Sequence, residues 1–174
     1  MLRKIGIIAV LSLLVTAFAA VPALAAITTN INPANAPTGT HLQTGAIGCS
    51  VGTDLSVTCS SFELAGVGNT NADVSLVANY TAIVDCFNPG VNPQNPIESH
   101  TTNFSASDTF TATSTKNGRL TVRQAVANPA SVGQVCPNPN WTPVIREGTL
   151  QLTSFTYTLT FAGFTSPYIT ITGP

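Results

Sequence analysis

The alternation of apolar and polar residues between positions 74 and 86 constrains the fold more than any other feature of the chain. Every even position in this stretch is apolar, aromatic or cysteine, whereas the odd positions are mostly polar, with Val77 and Ile83 as exceptions. A period of two residues is the repeat of a β-strand that buries one of its faces. The pattern therefore predicts a long strand that lies against a hydrophobic core.

A second alternating region contains a turn signal. Asn117-Gly118 separates two runs rich in threonine and apolar residues, and this pair is preferred in a two-residue type I′ hairpin turn. We therefore expect a hairpin in which Lys116 lies opposite Arg119.

The C-terminal region predicts further strands. Phe155, Tyr157, Leu159 and Phe161 share one face, but Leu152 has the opposite parity. A β-bulge near residues 153–154 would bring both groups to the same side. The last segment, "PYITIT", is typical of a closing strand.

These patterns together favour an all-β fold, because no helical stripe is present outside the N-terminal segment. Seven to nine short strands with turn signals between them predict an antiparallel Ig-like β-sandwich, with a small β-barrel as the alternative.

The N-terminal segment predicts export. Arg3 and Lys4 precede a largely apolar run, and Ala23-Leu24-Ala25 has the small residues of a signal-peptidase site. We expect residues 1–25 to be a signal peptide that is removed after Ala25, so that the mature protein is secreted. Residues 26–44 would form an extended arm or edge strand, and residues 45–174 a single domain.

The four cysteines predict two disulfide bonds, because an even number in an exported chain is typical of disulfides. Cys49 and Cys59 flank a hairpin-like segment that would set them opposite each other, which leaves Cys86 to pair with Cys136. We expect no metal site, because C-x-x-C spacing is absent and the chain has two histidines. No cofactor is expected either.

Asparagine and proline follow both Cys86 and Cys136. Seven of the twelve prolines lie within residues 87–107 and 127–143, which we call the stapled loops because the Cys86–Cys136 bridge would join them. Proline ends strand pairing and stiffens loops, so these loops predict a rigid surface suited to binding. The candidate binding residues are Trp141, Asn138, Asn140, Asn88 and Asn92. Trp141 could stack on a sugar ring or pack against the disulfide.

A candidate basic patch is formed by Lys116, Arg119 and Arg123, although a solvated surface would explain the same residues. Once residues 1–25 are removed, four cations remain against seven acidic residues. This balance argues against nucleic acid or an anionic membrane as the main partner.

The residues do not favour an enzyme. His41 and His100 are the only histidines, no G-x-S-x-G motif is present, and the acidic residues are scattered singly. We therefore expect a non-enzymatic protein.

The stretches "GVGNTNADVSLVANYTAIVDCFNPGVN", "KNGRLT" and "CPNPNWT" resemble a group of small exported, disulfide-bonded, β-rich bacterial proteins of unknown function. The resemblance covers about residues 62–160. It implies a β-rich fold and export, and it carries over no catalytic residue.

Two functions follow as expectations. The first is an extracellular binding module that contacts a cell-surface, polysaccharide or protein partner through the stapled loops. The alternative is a structural or coat protein of the cell exterior that self-associates through threonine-rich edge strands, helped by a low charge and the N-terminal arm.

Overall fold

The computed structural model describes residues 26–90, 95–129 and 132–174. The expected signal peptide and Asn92 lie outside these residues. No helix among the described residues is long and apolar enough to cross a membrane.

The described part of the chain consists of β-strands joined by turns, with one short 3-10 helix at Pro33–Asn35 and no α-helix. This confirms the all-β class. The strands are β1 (Thr28–Ile31), β2 (His41–Gly45), β3 (Cys49–Val51), β4 (Val57–Cys59), β5 (Phe62–Ala65), β6 (Ala72–Phe87), β7 (Glu98–Ala112), β8 (Arg119–Val122), β9 (Ala125–Ala127), β10 (Thr142–Ile145), β11 (Gln151–Phe161) and β12 (Ile169–Gly173).

The largest sheet has six strands and is organised around β6. Strand β7 pairs with one edge of β6 in an unbroken register from Ala72 opposite Ala112 to Cys86 opposite Glu98. Strands β10 and β11 pair with the other edge, and β12 and β1 follow β11. All even-numbered residues of β6 are buried, which confirms the strand predicted from the alternation.

Two three-stranded sheets, β2-β5-β8 and β3-β4-β9, complete the fold. The two sheets adjoin each other. The pairs β4–β9 and β5–β8 share the same register, and residues 60–61 and 123–124 separate one pair from the other. The buried faces of all three sheets contribute to one hydrophobic cluster. The two small sheets therefore lie over the same core as the large sheet.

The sheets are antiparallel and do not close into a barrel among the described residues. These residues hold twelve strands rather than the expected seven to nine. The number is higher because three long segments are each interrupted, which gives the pairs β2 and β3, β4 and β5, and β8 and β9.

The predicted bulge is confirmed in β11. The register with β6 shifts between Leu152 and Ser154, which leaves Thr153 as the extra residue. After the bulge, the side chains of Phe155, Tyr157, Leu159 and Phe161 are all buried. The predicted closing strand is β12, which pairs with β11.

The turn between β7 and β8 differs from the prediction. The amide of Thr115 donates to the carbonyl of Arg119 at 2.7 Å, so Thr115, and not Lys116, is the partner of Arg119. Of the two central residues predicted for the turn, only Gly118 has positive φ (70°), whereas a type I′ turn requires positive φ at both. The hairpin therefore has a three-residue loop, in which Gly118 supplies the left-handed conformation.

Residues 26–44 contain β1 and β2, whose residues are exposed along both strands. Strand β1 pairs with β12 and ends the large sheet, while β2 pairs with β5. The two strands are thus bound to the sheets through backbone pairing, and between them the side chain of Ala36 is buried in the core.

Candidate binding site

Both predicted disulfides are confirmed. Cys49 lies opposite Cys59 across β3 and β4, and the two are bonded. Cys86, one residue before the end of β6, is bonded to Cys136. The second bridge joins segments that are 50 residues apart.

Three segments of the chain meet at Cys86. Its carbonyl accepts a hydrogen bond from the amide of Ile97 at 2.9 Å, and Pro143 of β10 lies opposite it in the sheet. Together with the bond to Cys136, these contacts fix the end of β6. We call this end of the molecule, with the turns that follow Cys86 and Cys136, the stapled pole.

The stapled loops are shorter than expected. Residues 98–107, placed in the first loop, belong to β7, and residues 142–143 belong to β10. The prediction treated proline as the end of strand pairing, but Pro143 lies within the short strand β10. This strand pairs only with β6, and an edge strand tolerates proline.

The two asparagines that follow the bridged cysteines form the same local structure. The Oδ1 atom of Asn88 accepts a hydrogen bond from the amide of Gly90 at 3.1 Å. The Oδ1 atom of Asn138 accepts one from the amide of Asn140 at 3.0 Å. Each is an Asx turn that begins two residues after a bridged cysteine. The repeated Cys-x-Asn-Pro sequence therefore encodes a repeated turn.

Trp141 lies directly before β10 and is half-buried. Its amide donates to the carbonyl of Asn138 at 3.0 Å, and its carbonyl accepts a hydrogen bond from the side chain of Gln134 at 3.3 Å. Gln134 also donates to the carbonyl of Asn138. The sequence offered no signal for this role of Gln134. These hydrogen bonds hold the backbone of Trp141, while its ring keeps part of its surface accessible.

The five candidate binding residues are therefore not equivalent. Asn88 and Asn138 use their side-chain oxygens within the turns, whereas Asn140 is exposed and lies next to Trp141. Asn92 lies outside the described residues. The structure thus brings Trp141, Asn138 and Asn140 together on one loop.

An ion-pair cluster near this end of β6 was not predicted. Arg146 donates to both carboxylate oxygens of Asp85 at 3.1 and 2.7 Å, and also to the hydroxyl of Ser99 at 2.9 Å. Ser99 in turn donates to Asp85 at 2.6 Å. The hydrogen bonds from Arg146, followed by that from Ser99, lower the pKa of the Asp85 carboxyl. Because the three residues are far apart in sequence, only the sheet reveals the cluster.

The candidate basic residues do not form a free basic patch. Arg119 donates to Glu63 at 2.8 Å, and Arg123 forms two hydrogen bonds with Asp108. Lys116 is exposed on the three-residue loop. Two of the three charges are thus balanced by neighbouring carboxylates, because strand pairing brings Glu63 beside Arg119 and the packing of β7 against β8 and β9 brings Asp108 beside Arg123.

Within the described ranges, no group of three or more His, Cys, Asp or Glu side chains could hold a metal ion. One depression in this part of the surface is shallow; it lies beside the Arg146 turn, and its lining includes Thr81, Thr101 and Thr149. The site is therefore an exposed surface rather than an enclosed pocket.

Comparisons of the chain with protein-family models, with curated proteins and with solved structures find no match.

Proposed function

We propose that the mature chain is a secreted, non-enzymatic binding module that contacts a cell-surface, polysaccharide or protein partner through the stapled pole. The fold that we propose for it is an Ig-like β-sandwich, in which the six-stranded sheet faces the two smaller sheets across the shared core. The resemblance to small exported bacterial proteins supports the same assignment.

The observation that carries the proposal is that covalent and hydrogen bonds within the chain hold the described backbone of the pole. The Cys86–Cys136 bond joins the two turns, and an Asx turn fixes the backbone after each cysteine. A surface with a fixed backbone loses little conformational entropy on binding. The part of the cost of association that comes from ordering this backbone is therefore small.

Trp141 and Asn140 supply the chemistry of the proposed contact. A partly exposed indole ring can stack on the apolar face of a sugar or on an apolar side chain of a protein. The adjacent exposed amide of Asn140 offers two donors and one acceptor oxygen. This combination suits a neutral polar partner such as a polysaccharide.

The test is a screen of the secreted protein against immobilised glycans and cell-surface proteins, followed by affinity measurements on variants. Trp141→Ala should weaken binding to the partner found by at least about tenfold, which corresponds to the loss of one central aromatic contact. The control is Val144→Ala, because Val144 is an exposed apolar residue that lies three positions further along the chain.

Melting curves of the variants complete the test. Since Trp141 is only half-buried, its removal should destabilise the protein less than the roughly 3–5 kcal/mol that is typical of a fully buried aromatic residue. If Trp141→Ala and Asn140→Ala both fold and bind as tightly as wild type, the stapled pole is not the binding surface.

A further inference from the structure

Strand β7 is an open edge of the large sheet. It is fifteen residues long and pairs with β6 along its whole length, while the strand order places no partner on its other side within the described residues. The opposite edge is β1, which has only four residues. The longest unpaired row of backbone groups in the described fold therefore belongs to β7.

The backbone groups that point outward can be identified from contacts of β6. The carbonyls of Asn71, Asn79 and Ile83 all accept hydrogen bonds from the β10–β11 side of β6. Successive residues of a strand point their backbone groups to opposite sides, so the even-numbered residues of β6 bond to β7. Their partners in β7 are also even-numbered. The odd-numbered residues of β7 consequently direct their amides and carbonyls to the open edge.

This edge lacks several of the features that usually prevent association, although it has one, the inward-facing charge of Asp108. Between residues 98 and 112 there is no proline, lysine or arginine, and the register with β6 shows no bulge. Soluble proteins normally protect long edges with such features. The residues whose backbone groups point to the open edge each carry a hydroxyl or an amide side chain. They are Ser99, Thr101, Asn103, Ser105, Ser107, Thr109 and Thr111.

The inner face of β7 is also incompletely covered. Phe104, Ala106 and Phe110 are only partly buried, whereas the residues opposite them on β6 are fully buried. Strand β9 contacts both β6 and β7, and the amide of Val126 donates to the inward-facing side chain of Asp108. Strand β9 thus packs against the inner face of the sheet and does not pair with the outer edge of β7.

We propose that β7 pairs antiparallel with β7 of a second copy of this chain, about a two-fold axis at Ser105. Ser105 is the midpoint of β7, so all fifteen residues of each copy find a partner in this register and in no other. A two-fold contact of this kind closes after two copies. The product is a dimer with one continuous sheet, whose two-fold axis at Ser105 lies opposite Asn79, away from the Cys86 end of β6.

The side chains are compatible with this register. On the outer face, Asn103 lies opposite Ser107 of the second copy and Thr101 lies opposite Thr109, which gives a row of hydroxyl and amide groups. On the inner face, Phe104 lies opposite Ala106, so each copy covers the half-buried apolar surface of the other. A shift of the axis to Asn103 would instead set Glu98 opposite Asp108, and like charges facing each other across strands are destabilising.

The experiment measures the molar mass of the purified secreted protein by light scattering over a wide concentration range. The variant Asn103→Lys with Ser107→Lys places two lysine pairs opposite each other in the proposed dimer. The variant Asn103→Lys with Ser107→Glu replaces both by lysine–glutamate pairs. Thr156→Lys is the control, because Thr156 is exposed in β11 and lies between two paired strands.

Wild type and Thr156→Lys should form dimers with the same dissociation constant. The double-lysine variant should dissociate at least about tenfold more readily, and the lysine–glutamate variant should regain most of the affinity. Melting curves show whether each variant is folded. A wild-type protein that remains monomeric at every concentration, or a folded double-lysine variant that dimerises as well as wild type, would overturn the proposal.

Discussion

Arg123 holds Asp108 through two parallel hydrogen bonds of 2.8 and 2.7 Å, which connect the β8–β9 junction to the middle of β7. The guanidinium carbon of Arg123 also lies 3.8 Å from the ring centroid of Phe110. A planar guanidinium can make both kinds of contact at once, whereas a lysine ammonium cannot form the paired hydrogen bonds.

The first prediction follows from this geometry. Arg123→Lys should lower the melting temperature slightly, and Arg123→Ala should lower it by a few degrees, because the side chain is half-exposed and solvent weakens the ion pair. Thermal melts monitored by circular dichroism measure both. Lys116→Ala is the control for the loss of a surface cation and should leave the melt unchanged. Equal melting temperatures for wild type and Arg123→Ala would show that the contact contributes nothing to stability.

The second prediction concerns acid. The hydrogen bonds from Arg146 and Ser99 lower the pKa of Asp85, and that from Arg123 is the main cause of the lowered pKa of Asp108. A carboxyl whose pKa is lower in the folded state stabilises the protein at a pH above its unfolded pKa of about 3.9. This stabilisation is lost as the pH falls through the folded pKa.

We therefore expect the melting temperature to fall steeply below about pH 4. Asp85→Asn should reduce the stability near neutral pH and should make the decline in acid shallower. Glu147→Gln, at an exposed position beside Arg146, provides the comparison. An Asp85→Asn protein with the same pH profile as wild type would contradict the assigned role of the cluster.

The third prediction compares the two disulfides. Closing the 50-residue separation between Cys86 and Cys136 restricts the unfolded chain by about 4 kcal/mol, and closing the 10-residue separation between Cys49 and Cys59 by somewhat under 3 kcal/mol. Replacing the first pair by serine should therefore destabilise the protein more than replacing the second. Chemical denaturation of the two double variants gives the difference directly. The reverse order would mean that loop length does not control these stabilities.

The fourth prediction tests the bulge at Thr153. Deleting this residue should cost little stability, because Leu152, Ser154 and Phe155 then alternate inward, outward and inward in the register that they already have opposite β6. Thr153→Val keeps the residue and removes only the hydrogen bond from its hydroxyl to the carbonyl of Asn79. The Thr153→Val substitution should lower the free energy of unfolding by about 1 kcal/mol. A large fall in the melting temperature on deletion would show that β11 needs the bulge itself, rather than using it to accommodate one extra residue.

Strong local patterns were sufficient for much of the fold. The alternation in β6 and the change of parity in β11 are set by which side chains enter the core, so both the strand and the bulge could be predicted. The pairing of Cys49 with Cys59 followed for the same reason, because a short hairpin leaves few geometries for residues that face each other.

Strand β7 was predicted only in part, and its N-terminal half was assigned to a loop. Its even positions include His100, Thr102 and Asp108, and they are only half-buried. An edge strand covered on one side does not need strongly apolar residues, so the period-two signal is weak. The type of the turn at Gly118 was missed because the sequence pair Asn-Gly does not by itself fix the number of loop residues.

The sequence alone thus determined the β class, the main buried strands and the disulfide pairs, since each depends on neighbours in the chain or on side-chain burial. Only the tertiary structure decided which charges meet and which edge stays open. Asp85 joins Arg146, and Asp108 joins Arg123, across separations that no local pattern encodes. The open edge of β7 is likewise a property of strand order, because a strand lacks a partner only when the whole sheet has been assembled around it.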